Sequence, residues 1–175
     1  MDILKLNQFL GEGHACGYGD IKNINRFDVY NIDNIPTIFT HIRGNIAKGY
    51  LLERNTILKP CYIVRAKGYF AHGETLSEAQ SALEVKVIAN ANIEEKIKYF
   101  KIKFPNVNKK YAAKDFYRWY HNLTGSCELG RKPFVKTHNI DINNDVMTVK
   151  EFILLSENSY PGDIIKRLKA SYGCV

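Results

Sequence analysis

The hydrophobic period of this chain changes near residue 73, and that change limits the folds open to it. Between residues 20 and 71 the apolar side chains come in short runs: IKNIN, FDVYNI, TIFTHIR, AKGYLL and KPCYIVRAKGYFA. They are rich in Ile, Val, Tyr, Phe and Thr, the types that suit a pleated, half-buried surface. Turn residues separate them at Asn34-Ile-Pro36, Arg43-Gly-Asn45 and Arg54-Asn55. A parallel crossover needs a dozen or more residues between strands, so runs this closely spaced predict an antiparallel meander.

From residue 75 the period becomes helical. Thr75-Leu-Ser-Glu78 has the form of a capping box, and Leu76, Ala79, Leu83 and Val87 then line one face. Ile93, Ile97, Phe100 and Phe104 form a second stripe, which Pro105 should end. A third helix is expected over about 112–122, with Phe116, Trp119, Tyr120 and Leu123 as its apolar side. Thr148-Val-Lys-Glu151 repeats the capping box and opens a helix to about 157. After Pro161-Gly162 comes a last helix with Ile164, Ile165, Leu168 and Tyr172 inward. The expected fold is α+β: an N-terminal antiparallel β meander (1–73) packed with a C-terminal bundle of five or six short helices (74–175). No low-complexity linker divides the 175 residues, so a single compact domain is expected.

Composition removes several classes of function. The four cysteines, at 16, 61, 127 and 174, form no CxxC pair, so no zinc ribbon or thioredoxin-type motif is written here. The opening MDILKLNQFLGEG makes a poor signal peptide, and no later run approaches the ~18 apolar residues of a membrane span. A cytoplasmic protein with free thiols and no membrane partner is expected. The loop Gly11–Asp20 lacks the Gly-Lys-Ser/Thr ending of a phosphate loop and reads as a connector. His14-Ala-Cys16 and His72-Gly-Glu74 offer too few convergent ligands for zinc. Asp141-Ile-Asn143-Asn-Asp145 imitates a calcium loop, but Val146 replaces its glycine and Phe152 its bidentate glutamate, leaving a polar turn. No metal and no cofactor are expected.

Two candidate sites remain. Cys127, if Ser126 is the N-cap, stands at a first helical position, where free N–H groups and the helix dipole favour a thiolate. His72 or His121 would be its base and Glu74 an orienter of the imidazole. The competing reading is that Thr124-Gly-Ser126 simply ends one helix and starts another around a buried cysteine. Pro133 would kink or end the helix that Cys127 opens, or begin a second one. The second candidate is a surface. Residues 96–120, KIKYFKIKFPNVNKKYAAKDFYRWY, interleave lysines and aromatics, and the formal charge is +7. Helical spacing sends most of those aromatics to the core, leaving Lys109, Lys110, Tyr111, Tyr117 and Arg118, with Arg131 and Lys132 beyond, to meet RNA or a protein partner. An ordinary solvated face competes with that reading.

Three stretches together resemble a family of small bacteriophage and mobile-element proteins: Tyr69-Phe-Ala-His-Gly-Glu-Thr-Leu76, His121-Asn-Leu-Thr-Gly-Ser-Cys127 with Gly130 and Phe134, and Thr148-Val-Lys-Glu-Phe152 running on to Gly162-Asp-Ile-Ile165. The resemblance spans about residues 35–173, and Gly17-Tyr-Gly-Asp20 looks like the vestige of a glycine-, tyrosine- and aspartate-rich insertion. Pro133 departs from it. The resemblance carries no activity, but it implies a phage or prophage origin and a host-directed role. The expected function is therefore an accessory protein that binds a host protein or ribonucleoprotein, in its concrete form an anti-CRISPR-like inhibitor. A thiol enzyme using Cys127 and a direct RNA or DNA binder are the alternatives. Oligomeric state is not written in the sequence.

Overall fold

The computed structural model of the protein describes residues 2–11, 14–53, 57–159 and 162–173. The Arg54-Asn55 turn, Pro161 and Cys174 lie outside them. The chain divides into two compact units, Met1–Val87 and Ile88–Val175. The division falls inside a helix, later than the change of period at residue 73.

In the first unit α1 (Ile3–Leu10) precedes β1 (Asn23–Ile24), β2 (Phe27–Ile32), β3 (Ile35–Arg43), β4 (Ile46–Glu53), β5 (Ile57–Ala66) and β6 (Tyr69–Gly73), and α2 (Leu76–Asn90) follows. The six strands form one antiparallel sheet in sequence order, the expected meander. Two details differ from the sequence reading. The run KPCYIVRAKGYFA is two strands, because Lys67 and Gly68 both take positive φ (50° and 82°) and close a two-residue hairpin. The turn placed at Asn34-Ile-Pro36 is made by Asp33 and Asn34 (φ 56° and 64°), and Pro36 lies in β3 opposite Asn31. The connector over 14–20 is tied down too: Cys16 and Gly17 bridge to Tyr30.

The sheet buries both faces. On one, Leu6, Phe9 and Leu10 of α1 pack with Tyr30, Ile32, Phe39, Ile63 and Phe70. Arg65 holds α1 there by donating to the carbonyls of Gln8 and Phe9 at its C-terminal end. On the other face Ala79 and Leu83 of α2 cover Val64 and Ala71. The sheet is also strongly curled. Strands β3 and β6 stand three places apart, about 14 Å in a flat sheet at ~4.8 Å per strand. Yet His72 on β6 bonds Thr37 on β3 at 3.0 Å. A bulge between Phe39 and His41 supplies part of the bend.

The second unit contains α3 (Ile93–Lys103), β7 (Lys110–Ala112), α4 (Ala113–Thr124), α5 (Glu128–Thr137), β8 (Val146–Thr148), α6 (Val149–Ser156) and α7 (Gly162–Tyr172). With α2, six helices follow residue 75 among the described residues. The capping box at Thr148 and Glu151 is formed, and a second one joins Asn92 and Glu95. An aromatic cluster fills the unit: Phe104 stacks on Phe116 (4.6 Å between centroids), Phe116 on Phe152 (5.0 Å), and Tyr120 on Phe134 (5.3 Å). The small β7–β8 ladder is new relative to the sequence reading. Asp141 and Asp145 fold the preceding segment into a polar turn through bonds to Asn143 and Asn144 and to the Asp141 N–H.

Candidate functional site

Each residue of the His72-Gly-Glu74 stretch is engaged by the surrounding fold. The Thr37 hydroxyl donates to the Ile35 carbonyl (3.1 Å), so its lone pair accepts from His72, which places the imidazole proton on Nε2. Burial pushes the His72 pKa below its ordinary value, with Asp33 opposing and Lys86 adding to the effect. Gly73 is required by contact: a Cβ there would lie 2.4 Å from the backbone nitrogen of Ala79. Glu74 turns to Lys59 (2.5 Å), whose ammonium holds the exposed carboxyl below the usual range. It is therefore Lys59, on β5, that takes the carboxylate expected to orient an imidazole. Thr75 and Glu78 cap α2 as anticipated.

The 121–127 junction is built with similar economy. Gly125 adopts a left-handed conformation (φ 72°) and donates to the His121 carbonyl, ending α4. Thr124 donates to the Tyr120 carbonyl (2.6 Å), so Ser126 must donate its hydroxyl proton to Thr124 (2.7 Å). That turns Ser126 away from the capping position, and Cys127 becomes the N-cap of α5 in place of the first helical residue expected for it. Its side chain makes no capping bond, and its neighbour Glu128 puts a carboxylate into the first turn. His121 Nδ1–H donates to the Ser126 carbonyl (2.8 Å). Cys127 is exposed and lines a cavity of about 500 Å³ with Thr124, Ser126, Phe134 and Ser159. His121 and Cys127 belong to the second unit, His72 and Glu74 to the first. Helix α5 runs through Pro133 without breaking.

The candidate basic surface is sorted by what its aromatic rings touch. Tyr111 stands edge-on to Phe104 (5.1 Å) and Phe116 (6.2 Å) and accepts from the Asn106 N–H. Lys109 lies 5.5 Å from the Tyr111 ring centroid. Tyr117 has the Arg131 guanidinium over its ring at 4.3 Å, and Arg131 also donates to the Tyr117 carbonyl. Lys110, Arg118 and Lys132 are exposed, with Lys132 pairing Glu128 at 3.6 Å. Beside Tyr117, α4, α5 and the turn after α5 border an open cavity of about 720 Å³. Tyr117, Leu129, Pro133, Val135 and Ile142 wall it, and Glu128, Lys132 and Lys136 rim it. Sequence reasoning missed this cavity because its walls come from three segments. The available signal was Leu129 and Pro133, one turn apart on a helix whose single buried side chain is Phe134.

Among the described residues no group of three or more His, Cys, Asp or Glu is placed to hold a metal ion, and no helix is long and apolar enough to cross a membrane. Compared with protein-family models, with curated proteins and with solved structures, the chain finds no match.

Proposed function

We propose that the chain acts by binding: an accessory protein of phage type that engages a host protein or ribonucleoprotein in the host cytoplasm through the α4–α5 surface, as an inhibitor of a bacterial defence system would. The observation that carries the reading is the 720 Å³ apolar cavity opening between exposed lysines beside Tyr117. Concave, mostly apolar sites with a few charged groups are where proteins take up ligands. A protein surface is favoured over nucleic acid as the thing bound. Stacking on bases needs free aromatic faces, whereas Tyr111 packs edge-on against the core and Tyr117 carries Arg131. The resemblance to phage and mobile-element proteins supports the host-directed setting.

The test is capture from bacterial host lysate with the tagged full chain, read for protein and RNA together. The expected outcome is a specific protein complex that survives ribonuclease and survives Cys127→Ala. Recovery of RNA alone, or loss of the complex in a folded Cys127→Ala chain, would overturn the reading. A thiol enzyme is the second reading, favoured by the exposure of Cys127 at its 500 Å³ cavity. It requires Cys127→Ser to keep the fold and abolish activity.

A further inference from the structure

We propose that the α4–α5 cavity seats an acidic, amphipathic helical segment of the protein partner, its apolar side chains entering between Tyr117 and Leu129 and its carboxylates meeting Lys132 and Lys136. This rests on the binding reading above and adds the chemistry of what is bound.

Leu129 is 75 % exposed one helical turn before Pro133, so α5 leaves an apolar edge in water that no described residue of this unit covers. A cavity of about 720 Å³ accommodates more than one side chain, and its walls are aliphatic apart from Tyr117. The charges on the rim are unequal. Glu128 is engaged by Lys132 at 3.6 Å, whereas no carboxylate pairs with Lys136 among the described residues. Arg131, on the same helix, is held by the Tyr117 ring and carbonyl, its buried Nε has no partner among the described residues, and its guanidinium adds positive potential close by. Lys132 and Lys136 stand one helical turn apart on the same edge, the spacing at which carboxylates three or four residues apart on a second helix face them. The Glu128–Lys132 pair is an exposed one, weak enough for a partner's carboxylate to replace. Helix-in-groove recognition uses this combination of apolar anchors and flanking charge.

The experiment uses the full chain and three fluorescent peptides of about 15 residues, roughly four helical turns. All carry the same leucine stripe, flanked by Glu in one, by Gln in the second and by Lys in the third. The Glu peptide is expected to bind about ten-fold more tightly than the Gln peptide, with the Lys peptide weakest. Lys136→Glu should remove the preference for Glu, and Leu129→Asp should weaken the Glu and Gln peptides alike. Both positions are exposed, so both variants should keep the wild-type circular dichroism. Equal affinity for the three peptides, no binding at all, or displacement by poly(U) in place of excess peptide would overturn the inference. The same variants in the lysate capture separate it from the broader reading. A complex that survives Leu129→Asp with Lys136→Glu leaves the binding function standing and sinks this site, whereas a wild-type chain that captures nothing sinks the function itself.

Discussion

Cys61 and Cys127 carry the same thiol in opposite surroundings. Cys61, 5 % exposed on β5, has its pKa pushed up to about 11 by burial, so almost none of it is thiolate near neutral pH. Cys127 is exposed at the start of α5. Brief iodoacetamide treatment of the folded protein should therefore label Cys127 and spare Cys61, as read by peptide mass spectrometry. Labelling of Cys61 at the rate of Cys127 would contradict the burial. His72 gives a pH dependence with a definite sign. Its folded pKa is lowered, so the unfolded chain takes up the proton first as pH falls below about 6.5. The stabilisation by neutral His72 is complete above that value and is lost as pH drops through the lower folded pKa. The thermal midpoint of the wild type should fall more steeply between about pH 7 and 5 than that of His72→Gln. Parallel curves would assign the acid sensitivity to other groups.

Close backbone approach and capping decide which substitutions an element tolerates. Gly49 on β4 faces the bulge of β3, and a Cβ there would come within 1.8 Å of the Ile38 carbonyl oxygen. Backbone cannot give way as a side-chain tip does, so Gly49→Ala should cost about 3 kcal/mol, measured by urea unfolding. Thr148→Ala removes one half of the α6 capping box and should cost about 1 kcal/mol in the same assay. Helix α5 shows the limit of a local rule. Pro133 removes one intrahelical N–H, yet the helix continues to Thr137 because Phe134, stacked on Tyr120 and edge-on to Phe152, anchors its far half.

For the whole molecule, α2 as far as Val87 belongs with the sheet. Ala79 and Leu83 bury Val64 and Ala71, and Lys86 bridges Asp33 in the β2–β3 turn to the Phe70 carbonyl. A chain cut after Ala91 should keep a cooperative thermal transition and the circular dichroism of its sheet. One cut after Gly73 should lose both, because an apolar sheet face is then left in water. Cooperative unfolding of the shorter piece would show that α2 is dispensable.

The strand runs, helical stripes and two capping boxes were legible because they are local. Period 2, period 3.6 and a hydroxyl three residues before a glutamate each act within a few residues of sequence. The same holds for the Leu-Thr-Gly-Ser turn, whose bonds all run between residues 120 and 126. The curl that brings His72 to Thr37, the loss of Glu74 to Lys59 and the α4–α5 cavity depend on residues far apart in the chain. Their pairing follows from how strands coil and helices dock, which no short window of sequence records. Periodicity and capping were enough to dictate an antiparallel meander followed by short helices. It took the assembled fold to spend His72 and Glu74 on the sheet and to set Leu129 and Lys136 beside an open apolar cavity, because each depends on a side chain from another segment arriving beside it.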